Sequence, residues 1–366
     1  MTRLTVIMTF VLSFLTCAAA RAQESDGIFR HVLFSVDTSD KDRPVRCYRI
    51  PALTTAPDGS LIAAIDERVP SCGDLRWNRD INIVARRSTD GGRTWGPVQR
   101  IVDFPDGESA SDPSMITDTQ TGTVWLFYNY MDQDRERDRY RFHVVSSSDN
   151  GQTWSAPVDI TSQVAPEDWK GDFKFITSGQ GAFTRDGRML HTMVNLQRGL
   201  FLIVSDDHGR SWYRLPAVIH PADESKVVEL HSGGWMINSR VNNEGCRYIH
   251  VSKDDGKTWN SRPVPDLPDP GCNGAIIHYP YYGERGCLLF INASDPVERR
   301  RLTVHYSTDR GETWSRGLTV VEGDAAYSDI TVLPSGDIVL FYERDSYTVN
   351  EVAVVPRSVL FPDGHK

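Results

Sequence analysis

Ser88-Thr89-Asp90-Gly91-Gly92-Arg93-Thr94-Trp95 is the stretch that decides the fold, because the chain repeats it. The pattern Ser-x-Asp-x-Gly-x-Thr/Ser-Trp returns at Ser147 to Trp154, Ser205 to Trp212, Ser252 to Trp259 and Ser307 to Trp314. Its aspartates, Asp90, Asp149, Asp207, Asp254 and Asp309, are about 55 residues apart on average. The octet has the chemistry of a tight turn. Ser, Asp and Thr side chains satisfy the turn's own N–H groups, Gly permits a positive φ, and Trp plugs the turn onto an apolar layer. Alternating runs such as Ile81-Asn82-Ile83-Val84-Ala85 and Leu302-Thr303-Val304-His305-Tyr306 precede the octets and read as strands. Helical periodicity is nearly absent.

Dividing the chain beyond residue 22 by that spacing gives close to six. An all-β, six-bladed β-propeller with roughly four strands per blade is therefore expected. The last blade lacks an octet and would be completed by the N-terminal strand, Ile28 to Val36. The octets themselves read as structural turns on the outer rim. They lack the ligand alternation and bidentate Glu of a calcium loop.

Composition agrees with a folded globular chain: 366 residues, 39% hydrophobic and 24% charged. Forty Lys and Arg face 49 Asp and Glu, a net charge of -9, which argues against a nucleic-acid partner. It leaves room for a small anion held by a local arginine cluster. Arg3, the apolar run Leu4 to Leu15 and Ala20-Arg21-Ala22 read as a signal peptide over residues 1–22. A lipoprotein reading through Cys17 ranks below it. Residues 23–366 are then expected to form a single domain, secreted or periplasmic, without membrane insertion. Five cysteines follow: Cys47, Cys72, Cys246, Cys272 and Cys287. The odd count leaves at least one thiol without an intrachain partner, and the spacings are not those of a metal site. Core positions with one or two bridges are expected, with no metal and no cofactor.

A second motif is Tyr48-Arg49-Ile50-Pro51-Ala52-Leu53, followed by Asp66-Glu67-Arg68 and Gly73-Asp74. An Arg-Ile-Pro segment combined with five Asp boxes resembles the sialidase (neuraminidase) family of glycoside hydrolases in its bacterial secreted form. The resemblance runs from Tyr48 to Glu343. It implies an exo-alpha-sialidase that removes terminal α-linked sialic acid from glycoproteins, glycolipids or oligosaccharides. A clamp of three arginines for the substrate carboxylate would be Arg49, Arg240 and Arg299, with Arg300 as the alternative for the third. Tyr327, in Ala325-Ala326-Tyr327-Ser328-Asp329, matches the nucleophile. Glu224 would take its proton, with Glu229 as competitor, and Glu343 would hold Arg49. Asp74 is the expected acid/base, with Asp80 as the alternative. Arg68 and Asp112 resemble contacts to the sugar's 4-hydroxyl, or are strand-end structural residues.

The chemistry needs these residue types. Sialic acid carries a carboxylate on its anomeric carbon, which planar guanidinium groups can bind bidentately. The same anion would repel a carboxylate nucleophile, whereas a phenol avoids the repulsion. A free phenol has a pKa near 10 and needs a base, Glu224. The arginines are expected to favour the phenolate further. Asp74 would protonate the leaving oxygen and then activate water, giving retention. Trans-sialidase or intramolecular trans-sialidase chemistry could use the same residues, and hydrolysis is the commoner outcome. A non-catalytic sialic-acid-binding propeller is disfavoured by Tyr327, Glu224 and Asp74.

Overall fold

The computed structural model describes residues 26–36 and 45–362, so the expected signal peptide and Cys17 lie outside the described residues. Within them the strands form five hydrogen-bonded sheets. Cys47–Thr55, Leu61–Arg68, Ile81–Ser88 and Gln99–Val102 make the first, in chain order. Glu108–Asp118, Thr123–Asp132, Arg141–Ser147 and Val158–Asp159 make most of the second, with Gly179–Gln180 added in parallel. The third is built on Met189–Asn195 and Gly199–Ser205. The fourth runs Ser225–Glu229, Trp235–Ser239, Cys246–Ser252 and Asn260–Pro268. The last has seven strands, starting at Ala275–Tyr279 and ending on Phe29–Ser35. At its centre the 15-residue strand Leu318–Val332 pairs backward with Arg300–Ser307 and forward with Ile338–Arg344.

Apolar clusters lie between consecutive sheets, not in one central mass. Ala52 and Ile62 of the first sheet meet Met115 and Leu126 of the second. Ile116 and Phe127 of the second meet Met193 and Phe201 of the third. Val194 and Leu202 meet Val227 and Ile237, and Met236 and Ile249 meet Ile276 and Phe290. Leu53 and Ile65 of the first sheet then meet Val339 and Val352 of the last. The sheets therefore close a ring. Covered on both faces, strands such as Met189–Asn195 and Cys287–Ala293 are buried throughout and lose the alternation of a half-wet sheet. As expected, the N-terminal strand completes the last sheet: Phe29–Ser35 pairs antiparallel with Val349–Val355, and Leu33 and Phe34 are buried. Among the described residues helix is limited to single turns such as Thr161–Val164 and Arg357–Leu360.

The five octets share one hydrogen-bond set. In the second copy, Ser147 Oγ accepts from Gly151 N–H at 2.8 Å, and Asp149 accepts from Thr153 N–H at 2.9 Å and Thr153 Oγ1 at 2.6 Å. Asn150 and Gly151 both have positive φ, 60° and 80°. Glycine suits the second position, where φ is 80° and a Cβ would come within 2.5 Å of Ile62 Cδ1 on the first sheet and force it to shift. Each octet leans on an earlier sheet in the ring: Gly209 faces Trp125, Gly256 faces Leu215 at the end of the third sheet, and Gly311 faces Met236. Gly92 of the first octet faces Val354 of the last sheet. Trp212 and Trp314 are buried, whereas Trp95, Trp154 and Trp259 are only half-buried.

Among the described residues one disulfide joins Cys47 to Cys72, with Cα atoms 5.5 Å apart, and Cys246, Cys272 and Cys287 are free. Among the described residues no helix is long and apolar enough to cross a membrane.

Candidate active site

Around the ring's axis Cys47–Thr55 packs against Glu108–Asp118 and Leu318–Val332, and Ser225–Glu229 against Ala275–Tyr279, and several strands break register where a polar side chain must turn inward. Cys47–Thr55 shifts between Arg49 and Ala52, with Ile50 at φ 66°. Glu108–Asp118 shifts between Ser111 and Ser114, with Asp112 at φ 61°. Pro51 and Pro113 follow directly and cannot donate to a ladder. Leu318–Val332 shifts between Ala325 and Ser328, around Tyr327, and Arg300–Ser307 shifts next to Arg299. Bulges of this kind re-aim side chains. Here they aim Arg49, Asp112, Arg299 and Tyr327 into one pocket of about 310 Å³, which Asp74, Glu224 and Arg240 also line.

Tyr327 is the centre of this pocket. Its hydroxyl donates to Glu224, lying 2.8 Å from both carboxylate oxygens, and Arg240 Nη1 reaches the same hydroxyl at 3.3 Å. Arg240 also donates to Glu224 Oε2 at 2.7 Å, while its Nε is held by Asn242. Arg49 is paired with the fully buried Glu343 at 2.7 Å, and Glu343 also accepts from the N–H groups of Ile50 and Tyr327. Arg299 donates to the Tyr347 hydroxyl and the Gly271 carbonyl, both at 3.2 Å. Burial pushes the Tyr327 phenol well above its ordinary value, the Glu224 charge adds to this, and Arg240 opposes it without prevailing. The arginines pull toward the phenolate, the direction expected of them, but they do not set the balance. Desolvation and the adjacent anion outweigh them, so the free protein holds a phenol that shares its proton with Glu224.

Asp74 is two-thirds exposed at the rim, and its Oδ1 accepts from Arg68 Nη1 at 2.8 Å. Arg68 is fully buried behind it and also grips Asp66 and the Cys72 carbonyl. Asp112 accepts from Asn129 at 3.0 Å. Its pKa is raised by burial and by the Asp66 charge, against the pull of Arg68.

Each alternative lies elsewhere. Asp80 accepts from Asn82 at the start of Ile81–Ser88 and does not line the pocket. Arg300 is paired with Asp295 and Glu298, and Arg301 is exposed near Glu322. Glu229 sits at the far end of its strand, paired with Arg185 beside a separate cavity of about 340 Å³. Sequence reasoning missed Tyr347, whose ring lies 4.0 Å from the Arg49 guanidinium. It also missed the apolar side of the pocket, with Trp77, Tyr140 and Phe173. None of these stands in a motif. Trp77, three residues past Asp74 on the same loop, carried the nearest thing to a signal.

A closed ring of sheets fastened by Asp-box turns defines the class, and residues 71–340 match the family model described as a BNR repeat-like domain. The chain belongs to that family. It is 36% identical to a sialidase of Micromonospora viridifaciens over 328 residues, 81% of this chain and 50% of that protein. It is 29% identical to a sialidase of Bacteroides fragilis over 330 residues, 81% of this chain and 60% of that one. The chain thus spans only half to three-fifths of the length of these curated relatives. The solved structure of Hadza microbial sialidase Hz136 aligns with a TM-score of 0.79 at 29% identity, covering 89% of this chain and 69% of that one. The shared all-β fold is that of the sialidases, a β-propeller.

Proposed function

We propose that this protein is an exo-alpha-sialidase acting on terminal α-linked sialic acid of glycoconjugates or oligosaccharides. One observation carries the reading: a phenol hydrogen-bonded to a carboxylate, Tyr327 to Glu224, set among three inward arginines. Arg49, Arg240 and Arg299 would fix the sugar's carboxylate by charge-assisted bonds. Tyr327 Oη would attack the anomeric carbon as its proton passes to Glu224. Asp74 Oδ1 is engaged by Arg68, which leaves Oδ2 to give its proton to the departing oxygen and later to take one from water. Asp112, whose carboxyl burial and the Asp66 charge push above its ordinary value, would meet a ring hydroxyl, with Arg68 behind it. Each step is assigned to a side chain of this chain, with no cofactor.

The architecture belongs to the same proposal. Counting the seven-stranded sheet as two blades that share Leu318–Val332 makes six blades in one domain. The signal-peptide reading places that domain outside the cytoplasm, in keeping with the Cys47–Cys72 disulfide. The test is incubation with a fluorogenic sialoside, with the released sugar identified. Free sialic acid is expected from the native protein, and about a thousandfold less from Tyr327→Phe. No release, or full release by the phenylalanine variant, would refute the reading. Transfer to an acceptor or internal cyclisation would appear as a different product.

A further inference from the structure

Residues 345–348 connect Ile338–Arg344 to Val349–Val355, and three in succession, Asp345, Ser346 and Tyr347, have φ of 51°, 53° and 69°. For L-residues this left-handed conformation is unfavourable, and runs of it are rare. Glycine would relieve it, and the loop contains none. Strain of this kind persists where the surroundings impose it, and it collects at functional sites. The loop is well tied. Asp324 accepts from Ser346 N–H at 2.7 Å and from its hydroxyl at 3.0 Å, and Thr348 Oγ1 donates to the Asp345 carbonyl at 2.7 Å.

What the turn delivers is the Tyr347 side chain. Its ring centroid lies 4.0 Å from the Arg49 guanidinium carbon, and its hydroxyl accepts from Arg299 Nη1 at 3.2 Å. One side chain therefore touches two of the three inward arginines, which would otherwise repel each other. Arg299 is instructive, because both its bonds go to uncharged groups, the Tyr347 hydroxyl and the Gly271 carbonyl. An Asp or Glu in place of Tyr347 would orient the arginines equally well, but it would compete with an incoming carboxylate. An aromatic face and a hydroxyl orient a guanidinium and leave its charge to the ligand.

We propose that Tyr347 is a positioning residue, delivered by a strained left-handed turn, that holds Arg49 and Arg299 ready for the substrate's carboxylate. The proposal rests on the reading that these arginines bind that carboxylate. Its test compares Tyr347→Gly, Tyr347→Phe and Arg49→Lys with the native protein. The inhibition constant of free sialic acid, kcat on an aryl sialoside, and Tm are measured for each. Tyr347→Gly should weaken sialic acid binding about tenfold and change kcat far less. Tm should hold or rise, because glycine accepts the local φ. Tyr347→Phe keeps the stack, loses the hydroxyl, and should fall between.

Unchanged binding in Tyr347→Gly, with Arg49→Lys weakened, overturns the role of Tyr347 alone. Parallel losses of Tm, kcat and binding in Tyr347→Gly also overturn it, since they mark an ordinary structural residue. Unchanged binding in Arg49→Lys overturns the clamp itself.

Discussion

Asp74 and Asp80 lie six residues apart in one loop, and their surroundings divide the work between them. Asp74 stands at the pocket rim with one oxygen on Arg68, whereas Asp80 secures the start of a strand through Asn82. A natural galactoside is a poor leaving group and needs a proton, and a nitrophenolate needs little help. Asp74→Ala should therefore cut kcat/KM for sialyllactose at least about a hundredfold more than for a nitrophenyl sialoside. Asp80→Ala should affect both substrates alike. The ratio of the two kcat/KM values checks this independently of active fraction, and the opposite pattern would make Asp80 the acid. At this scale the sequence was legible where a motif fixed the position, as at Arg49 beside Pro51 and Tyr327 before Ser328-Asp329. It was silent on Tyr347, because nothing in Asp345-Ser346-Tyr347 announces three left-handed residues. It gave the direction in which the arginines pull on Tyr327, but not that burial and Glu224 together exceed them, since burial is not written in a motif.

At the scale of single elements, the loop from Val69 to Asp80 is fastened at several points. The disulfide ties Cys72 to the strand that carries Arg49, Arg68 donates to the Cys72 carbonyl at 2.9 Å, and Asn78 donates to the Ser71 carbonyl at 2.8 Å. Replacing both Cys47 and Cys72 by Ala should cost about 3 kcal/mol of stability for a loop of this length. Sialyllactose turnover should fall about tenfold more than nitrophenyl sialoside turnover, because the acid is displaced and the arginines are not. Denaturant melts and the same substrate pair measure both effects, and equal losses on the two substrates would remove the loop from acid positioning.

The octets permit a pH prediction. The Thr153 hydroxyl, the Thr153 N–H and Ser147 lower Asp149 to about 2, and Thr258 and Ser252 do the same for Asp254. A carboxyl whose folded pKa lies below its unfolded value of about 3.9 stabilises the protein above that value and ceases to do so as pH falls toward 2. Tm should therefore drop between about pH 4 and pH 2, and drop less steeply in Asp149→Asn, which lacks one such group. Equal slopes for the two proteins would show that the octet aspartate contributes nothing through its charge. The spacing of the octets announced the sheets, but it could not show which sheet each turn rests on, because those partners lie a blade away in the chain.

For the whole molecule, the seam of the ring lies in the last sheet, where strands from both ends of the chain meet. Removing the chain through Val36 would uncover Val349–Val355 and expose the sites filled by Leu33 and Phe34. The lost burial alone is worth about 3–6 kcal/mol, and a bare apolar edge invites pairing with another copy. A lower Tm with visible self-association in light scattering is the expected result. A truncated chain that melts as a monomer at the native temperature would show that the seam is dispensable. This closure was readable in advance only because the octets run out before the chain does, leaving one group of strands to be completed by the other terminus.

The direction in which the turns lean has a consequence for synthesis. Gly151, Gly209, Gly256 and Gly311 each rest on residues that precede them in the chain, so a polypeptide emerging N-terminus first meets every docking surface already made. The first turn is the exception, since Gly92 waits for Val354, close to the end. Translation would therefore build the molecule as an open arc whose segments accumulate in order, and it would latch in a single event once Val349–Val355 has been made.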